Sequence, residues 1–158
     1  MSIEKVKAYL KEYKRDKDVL EFDVSSATVE LAAKAAKVIP ARIAKTLSFI
    51  LKDGTCILIS TAGDAKIDNA KYKALFSSKA KMLTAEEVIE FTGHAIGGVC
   101  PFAIENENVK VYLDISLKRF ETVFPAAGSS NSAIELTPDD FFILSKAKEW
   151  IDVCKLPE

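Results

Sequence analysis

The chain has 158 residues, 49% of them apolar and 28% charged, with a formal net charge of −1. That length suits one domain, which would bury about two-thirds of its unfolded surface. The charge argues against a protein that coats nucleic acid through bulk electrostatics, though not against a local basic patch. No apolar run approaches the ~20 residues of a membrane span, and the charged opening "MSIEKVKAYLKEYKRDKD" has no signal-peptide core; the cytoplasm is the expected compartment.

In chain order, Ser2 is placed to cap a first helix, with Ile3, Val6, Leu10 and Tyr13 at helical spacing. "VLEFD" (19–23) reads as a short strand. Ser26 then opens a second helix with an apolar stripe of Leu31, Ala35, Val38 and Ile39, stopped by Pro40. "RIAKTLSFIL" (42–51) reads as a strand on which Ile43, Lys45, Leu47, Phe49 and Leu51 share a face. "KDGT" signals a hairpin with a two-residue Asp53-Gly54 loop, which sets Lys45 opposite Ala62 and Leu47 opposite Ser60. Helices are expected over 68–76 and from the Thr84/Glu87 capping box to Gly93. "VKVYLD" is a strand and "ISLKRF" a turn or short helix. "TVFPAAG" and "SAIEL" form two further strands around a polar loop, and Thr137-Pro138 starts another helix. The tail around Trp150 reads as a last helix. Strands and helices alternate irregularly and no linker or repeat interrupts them. The expected fold is α+β: a single compact domain over residues 1–158, its mixed, mostly antiparallel barrel-like sheet flanked by helices.

Three segments could carry chemistry. Lys45 shares a face with four apolar residues. Its ammonium must snorkel to water, pair with an internal carboxylate, or line a pocket for an anionic ligand. "GHAIGGVCPFAI" (93–104) concentrates Gly93, Gly97 and Gly98 before Pro101, which lets main chain approach a ligand, or makes only a tight turn. It is neither a P-loop nor a dinucleotide fingerprint. "AAGSSNSA" (126–133) offers uncharged donors and acceptors, or is a plain loop. His94, the sole histidine, reads as a surface residue, and a Cys100–His94 nucleophile pair has little to recommend it. Three scattered cysteines and one histidine suggest neither a disulfide framework nor a zinc site. The segment 66–81, with five lysines and two aromatics, is a solvated helix face or a phosphate-contacting patch.

Together, "SSATVELAAKAAKVIPARIAKTLSF", "GHAIGGVCPF" and "AAGSSNSAIELTPDDF" resemble the YbaK family, free-standing aminoacyl-tRNA deacylases related to the editing domain of bacterial prolyl-tRNA synthetases. The resemblance implies hydrolysis of the ester between a wrong amino acid and the terminal adenosine of tRNA, on tRNA(Pro) carrying a small residue such as Cys or Ala. A non-catalytic module that binds tRNA or a synthetase is the alternative. The resemblance places Lys45, Gly97 and Gly98 in catalysis, with Lys45 at the adenosine and phosphate end and glycine-loop N–H groups on the carbonyl. It places Ser26, Ala27, Thr46, Val99, Cys100, Pro101, Gly128, Ser129 and Asn131 around the substrate. The implied partners are the aminoacyl-tRNA acceptor end and a synthetase, prolyl-tRNA synthetase or another, with no membrane; no metal or organic cofactor is implied. The chain departs from the cysteine-specific branch, which tends to have Ser at Cys100, Gly at Ala103 and basic residues near Gly128.

Overall fold

The computed structural model describes residues 2–157. Helix α1 (Ser2–Lys11) buries Val6 and Leu10. Ser2 does not cap it; its hydroxyl is turned to His94 Nδ1 instead. Strand β1 (Val19–Glu21) leads to α2 (Val29–Ala36), whose N-cap is Thr28, accepting from Leu31 N–H at 3.2 Å. The cap lies two residues later than expected, and the buried face also differs from the expected stripe. Ala32 and Ala33 pack down, while Leu31 and Ile39 are exposed. The small residues bring α2 close to Ile43, Phe124 and Ala133, where a leucine would not fit without displacing sheet side chains.

Strand β2 (Ile43–Ile50) turns back into β3 (Cys56–Ala62). The hairpin pairs Lys45 with Thr61, Thr46 with Ser60 and Phe49 with Ile57, one residue off the expected register. The cause is the turn. Gly54 N–H donates to Leu51 O at 3.0 Å, Gly54 sits at φ 87°, and Leu51 N–H closes on Thr55 O at 2.8 Å. This is a type I turn followed by a left-handed glycine, a three-residue loop rather than a two-residue one.

Strand β4 (Lys66–Ile67) precedes α3 (Asn69–Phe76), capped by Asp68, and α4 (Ala85–Thr92) carries the full Thr84/Glu87 capping box and ends on left-handed Gly93. Strand β5 (Val109–Asp114) runs into a 3-10 turn. Two short strands follow, β6 (Phe124–Pro125) and β7 (Ser132–Ile134), then α5 (Pro138–Leu144) with Pro138 in its first turn. The tail is not a helix but β8 (Glu149–Ile151) and β9 (Cys154–Lys155). Buried Asp114 draws the tail in, accepting from Val153 N–H at 2.9 Å, and Trp150 stacks on Phe142.

The central sheet has the order β6-β2-β3-β5-β8. Within it only β2–β3 is antiparallel, and β2–β6, β3–β5 and β5–β8 are parallel. The antiparallel pairs β1–β7 and β4–β9 flank it, so the α+β mixed sheet stands, with more parallel pairing at its centre than expected. One cluster of buried side chains from Val6 to Cys154 fills the space between sheet and helices, with Phe49, Tyr72, Phe76 and Tyr112 in sequential ring contact.

Candidate active site

Beside β2 lies a cleft of about 360 Å³. Its walls come from five places: the segment entering α2, β2 itself, Met82 and Leu83 with Val88 of α4, the glycine loop at 96–99, and residues of β6, β7 and the loop between them. Ser26, Ala27, Lys45, Thr46, Gly97 and Val99 all line it, so residues from three separate sequence segments meet at one place.

Three loops converge because the glycines of two of them allow it. A Cβ on Gly97 would stand 3.3 Å from Ala27 Cβ, and one on Gly98 would fall 2.8 Å from Ser129 N. The main chain then ties the third loop in. Ser26 N–H donates to Ser130 O at 2.6 Å, and Phe22 N–H to Asn131 O at 2.7 Å. The glycine pair divides its labour. Gly98 N–H is used within its own loop, donating to Ala95 O at 3.0 Å, while Gly97, at φ 98°, has no internal acceptor for its N–H among the described residues.

Lys45 resolves its own conflict in a way that combines the sequence alternatives. It lines the cleft, yet its Nζ donates to Ala65 O at 2.6 Å and reaches Gly63 O at 3.5 Å. Among the described residues no carboxylate lies within ion-pairing distance of it. The nearby Asp64 is taken by Arg119, whose Nη2 and Nη1 donate at 2.6 and 3.1 Å. Burial pushes the Lys45 pKa below the usual lysine value, with Asp64 and Glu30 opposing that weakly. A half-buried ammonium held by neutral carbonyls keeps its charge uncompensated and can receive an anion.

Six of the expected site residues lie elsewhere. Gly98 sits behind the cleft wall, packed on the Gly128 loop, and Gly128, Ser129 and Asn131 shape that loop without lining the cleft. Asn131 Nδ2 is spent on Phe22 O at 3.0 Å. Pro101 faces a different, smaller groove with Tyr9 and Lys146. Cys100 is fully buried, and burial pushes its thiol up to about 12, so it holds no thiolate for attack.

His94 is buried, not on the surface. Its Nε2 meets Phe102 O at 2.8 Å and its Nδ1 meets the Ser2 hydroxyl. A neutral ring with the proton on Nε2 satisfies both contacts, the Ser2 hydroxyl donating to Nδ1. The histidine thus pins the base of the glycine loop to α1. Burial lowers its pKa. The folded state therefore disfavours the proton that the unfolded chain takes up below about 6.5, so this stability is complete above that pH and is lost as pH falls toward the folded value. With one histidine in the chain, the slope between pH 6.5 and 5 should belong to it, at most about 1.4 kcal/mol per pH unit. Urea midpoints over that window should fall in the wild type and stay level in His94→Gln; an equal slope in both would refute the assignment. Ala103, where the cysteine-specific branch tends to have glycine, adopts φ 57°, the left-handed region that explains that preference.

Sequence reasoning missed Ser48, Met82, Leu83, Val88, Phe124 and Ser132, all of which line the cleft. Met82, largely exposed at the cleft, is signalled only by an apolar residue inside a lysine-rich run. Ser26 contributes a buried hydroxyl with no partner among the described residues. Of the lysines of 66–81, Lys71 is tied to Asp152 and Cys154 O, both at 2.9 Å, and the other four are exposed.

The model of the aminoacyl-tRNA editing domain matches residues 23–143. The chain is 56% identical over 155 residues to protein YwhH of Bacillus subtilis, itself uncharacterized, covering 98% of each. It is 28% identical over 140 residues to the proline–tRNA ligase of Persephonella marina, covering 83% of this chain and 24% of the ligase. The chain thus spans about a quarter of that ligase's length. Among solved structures it is similar to a "putative trans-editing enzyme for prolyl tRNA synthetase", at TM-score 0.86 and 29% identity over 98% of this chain and 97% of that one.

Proposed function

Because the chain belongs to the aminoacyl-tRNA editing domain family, we propose that it is a trans-acting deacylase that removes a wrongly attached small amino acid from the 3′ end of tRNA, with tRNA(Pro) carrying Ala or Cys the first candidate. The observation that carries this reading is the cleft, a small chamber walled by Ala27, Val99 and Ala133 with an uncompensated ammonium at one side and no activated nucleophile.

An aminoacyl ester is already reactive, so the enzyme's task is positioning and charge stabilisation. Water attacks the ester carbonyl. The carbonyl oxygen takes up negative charge, the bond to the ribose oxygen breaks, and that oxygen leaves with a proton as the restored tRNA hydroxyl. Gly97 N–H is the glycine-loop donor available to the developing oxyanion, and Gly98 shapes the loop that presents it. Lys45 anchors the phosphate and ribose end. Ser26 Oγ, without a partner among the described residues, is placed to bond a polar group of the substrate. The exposed lysines beside Met82 supply phosphate contacts along the acceptor stem, consistent with modest, salt-dependent affinity. The protein would act in the cytoplasm, after a synthetase has released the tRNA.

A pocket wall discriminates one methylene by only ~1–3 kcal/mol, so a synthetase that must reject close analogues benefits from a second, smaller sieve. The test is a panel of tRNA(Pro) charged with Ala, Cys, Ser and Pro. Hydrolysis of at least one small misacylated species at about tenfold or more above the spontaneous rate, with Pro-tRNA(Pro) spared, is expected. Binding across the panel without hydrolysis would establish the non-catalytic module instead.

A further inference from the structure

The edge of β2 is open where it borders the cleft. On that side β6 covers only Ile43 and Ala44, by parallel pairing with Phe124 and Pro125. Cover resumes further along, where Met82 bridges Phe49, Leu83 N–H donates to Ser48 O at 3.3 Å, and Ile50 N–H donates to Lys81 O at 2.9 Å. Between the two no strand pairs with the edge. Burial records the same gap: Lys45, Thr46 and Leu47 are half-buried, while Ile43, Ala44, Ser48 and Phe49 on either side are buried.

Strand geometry then decides which main-chain groups face the gap. In an extended strand one residue's N–H and C=O point to the same edge, and the next residue's point to the other. Ser48 O and Ile50 N–H point toward the Lys81–Leu83 segment. Thr46 has the same parity, so its N–H and C=O point to the open edge, and Thr46 lines the cleft. Its side chain is not free for the task, because Thr46 Oγ1 and Ser60 Oγ are bonded at 2.7 Å across the hairpin.

We propose that Thr46 holds the aminoacyl group of the substrate by its main chain, as a single residue added to the sheet edge. The proposal rests on the deacylase reading and names the part of the substrate recognised. An aminoacyl ester carries an ammonium, an α-carbon and a carbonyl in the same order as a residue of a strand. Set against Thr46 as a hydrogen-bonded antiparallel pair, its ammonium donates to Thr46 C=O and its carbonyl oxygen accepts from Thr46 N–H. The first contact selects an α-amino acid over a plain acyl group. The second polarises the scissile carbonyl from the same strand edge that holds the ammonium, adding a donor to Gly97 N–H. Both groups sit on a strand rather than a loop, so their positions are held by the sheet.

The test replaces the Thr46 N–H by an ester oxygen in the full-length chain, using the α-hydroxy analogue of threonine at that position. Two readouts follow: deacylation of the aminoacyl-tRNA that the wild type hydrolyses fastest, and binding of 3′-(alanylamino)-3′-deoxyadenosine, which cannot be hydrolysed by this route. The variant should lose at least about tenfold in kcat and bind the analogue more weakly, with only the small fall in melting temperature that a weakened Lys45 carbonyl opposite Thr61 costs, less than at a position whose own N–H is used. The same replacement at Ile50, whose N–H is used by Lys81 O, should lower the melting temperature. On the substrate side, the propanoyl counterpart of the alanyl analogue, which lacks the ammonium, should bind about tenfold or more weakly. Unchanged kcat and binding in the Thr46 ester variant, a drop in its melting temperature like that at Ile50, or equal affinity for the two analogues would overturn the proposal. A wild type that binds the analogues with the expected difference but hydrolyses no aminoacyl-tRNA would refute the deacylase reading and leave the Thr46 contact supported.

Discussion

Lys45→Ala should reduce kcat/KM for a misacylated tRNA by about a hundredfold or more, roughly 2.7 kcal/mol of transition-state stabilisation, while the protein remains folded. The side chain stands at the wall of the cleft, held by two main-chain carbonyls rather than by a carboxylate. Its removal takes away the positive charge nearest the substrate's phosphate and ribose end. The structural cost is small by comparison. Ala65 O loses a half-buried hydrogen bond worth about 1 kcal/mol, which at this size is roughly 2–4 °C of melting temperature. Lys45→Arg should not restore activity, because a planar guanidinium cannot occupy the place of a compact ammonium between the carbonyls of Gly63 and Ala65. Since burial lowers the Lys45 pKa, activity that needs the ammonium should decline on the alkaline side before free lysine would titrate. Retention of more than about a tenth of the wild-type rate, a loss under ~1.4 kcal/mol, would remove Lys45 from the site.

The largest expected loss of stability is at Gly63, far from any sequence motif. A Cβ there would lie 2.1 Å from Pro40 O and 2.7 Å from Val29 Cγ1. The first neighbour is main chain at the entry to β2 and cannot step aside as a flexible side chain would. Gly63→Ala should therefore cost about 3 kcal/mol, or roughly 6–12 °C, measured by thermal or urea unfolding. Because Gly63 O also receives Lys45 Nζ, the folded fraction at low temperature should show impaired turnover as well. Normal stability in the variant would mean that Pro40 and the segment before β2 move freely, contrary to the packing of α2 on the sheet.

Much of the architecture was legible where the signal is local. The Thr84 capping box and Asp68 and Thr137 as N-caps each satisfy orphan N–H groups within three or four residues, and Pro138 in the first turn of its helix removes one such group. The α2 cap is Thr28 rather than Ser26, and its inward stripe is Val29, Ala32, Ala33 and Ala36 at helical spacing, small residues that the more apolar Leu31 and Ile39 mask in the sequence. The hairpin register slipped by one because Asp53-Gly54 suits two turns that differ by one residue, and hydrogen bonds of the loop itself chose between them. The tail was read as a helix because its parallel partner, β5, ends more than thirty residues before it.

For the site, sequence by itself determined the family and brought Lys45, Gly97 and the small residues around Ala27 into one hypothesis, since these depend on residue type. It also posed the question of why a cation shares a face with apolar neighbours. Only the tertiary structure decided that Cys100 and Pro101 stand outside the cleft, that Gly98 N–H is already spent, and that His94 is a buried pin for the glycine loop. The open edge at Thr46 belongs to the same class. It exists because β6 stops at Ala44 after two pairs and cover resumes only at Ser48 and Phe49, through Leu83 and Met82, a relation among three distant segments. A main-chain N–H and C=O are present at nearly every residue, so no side-chain pattern could mark a pair left open at the sheet edge.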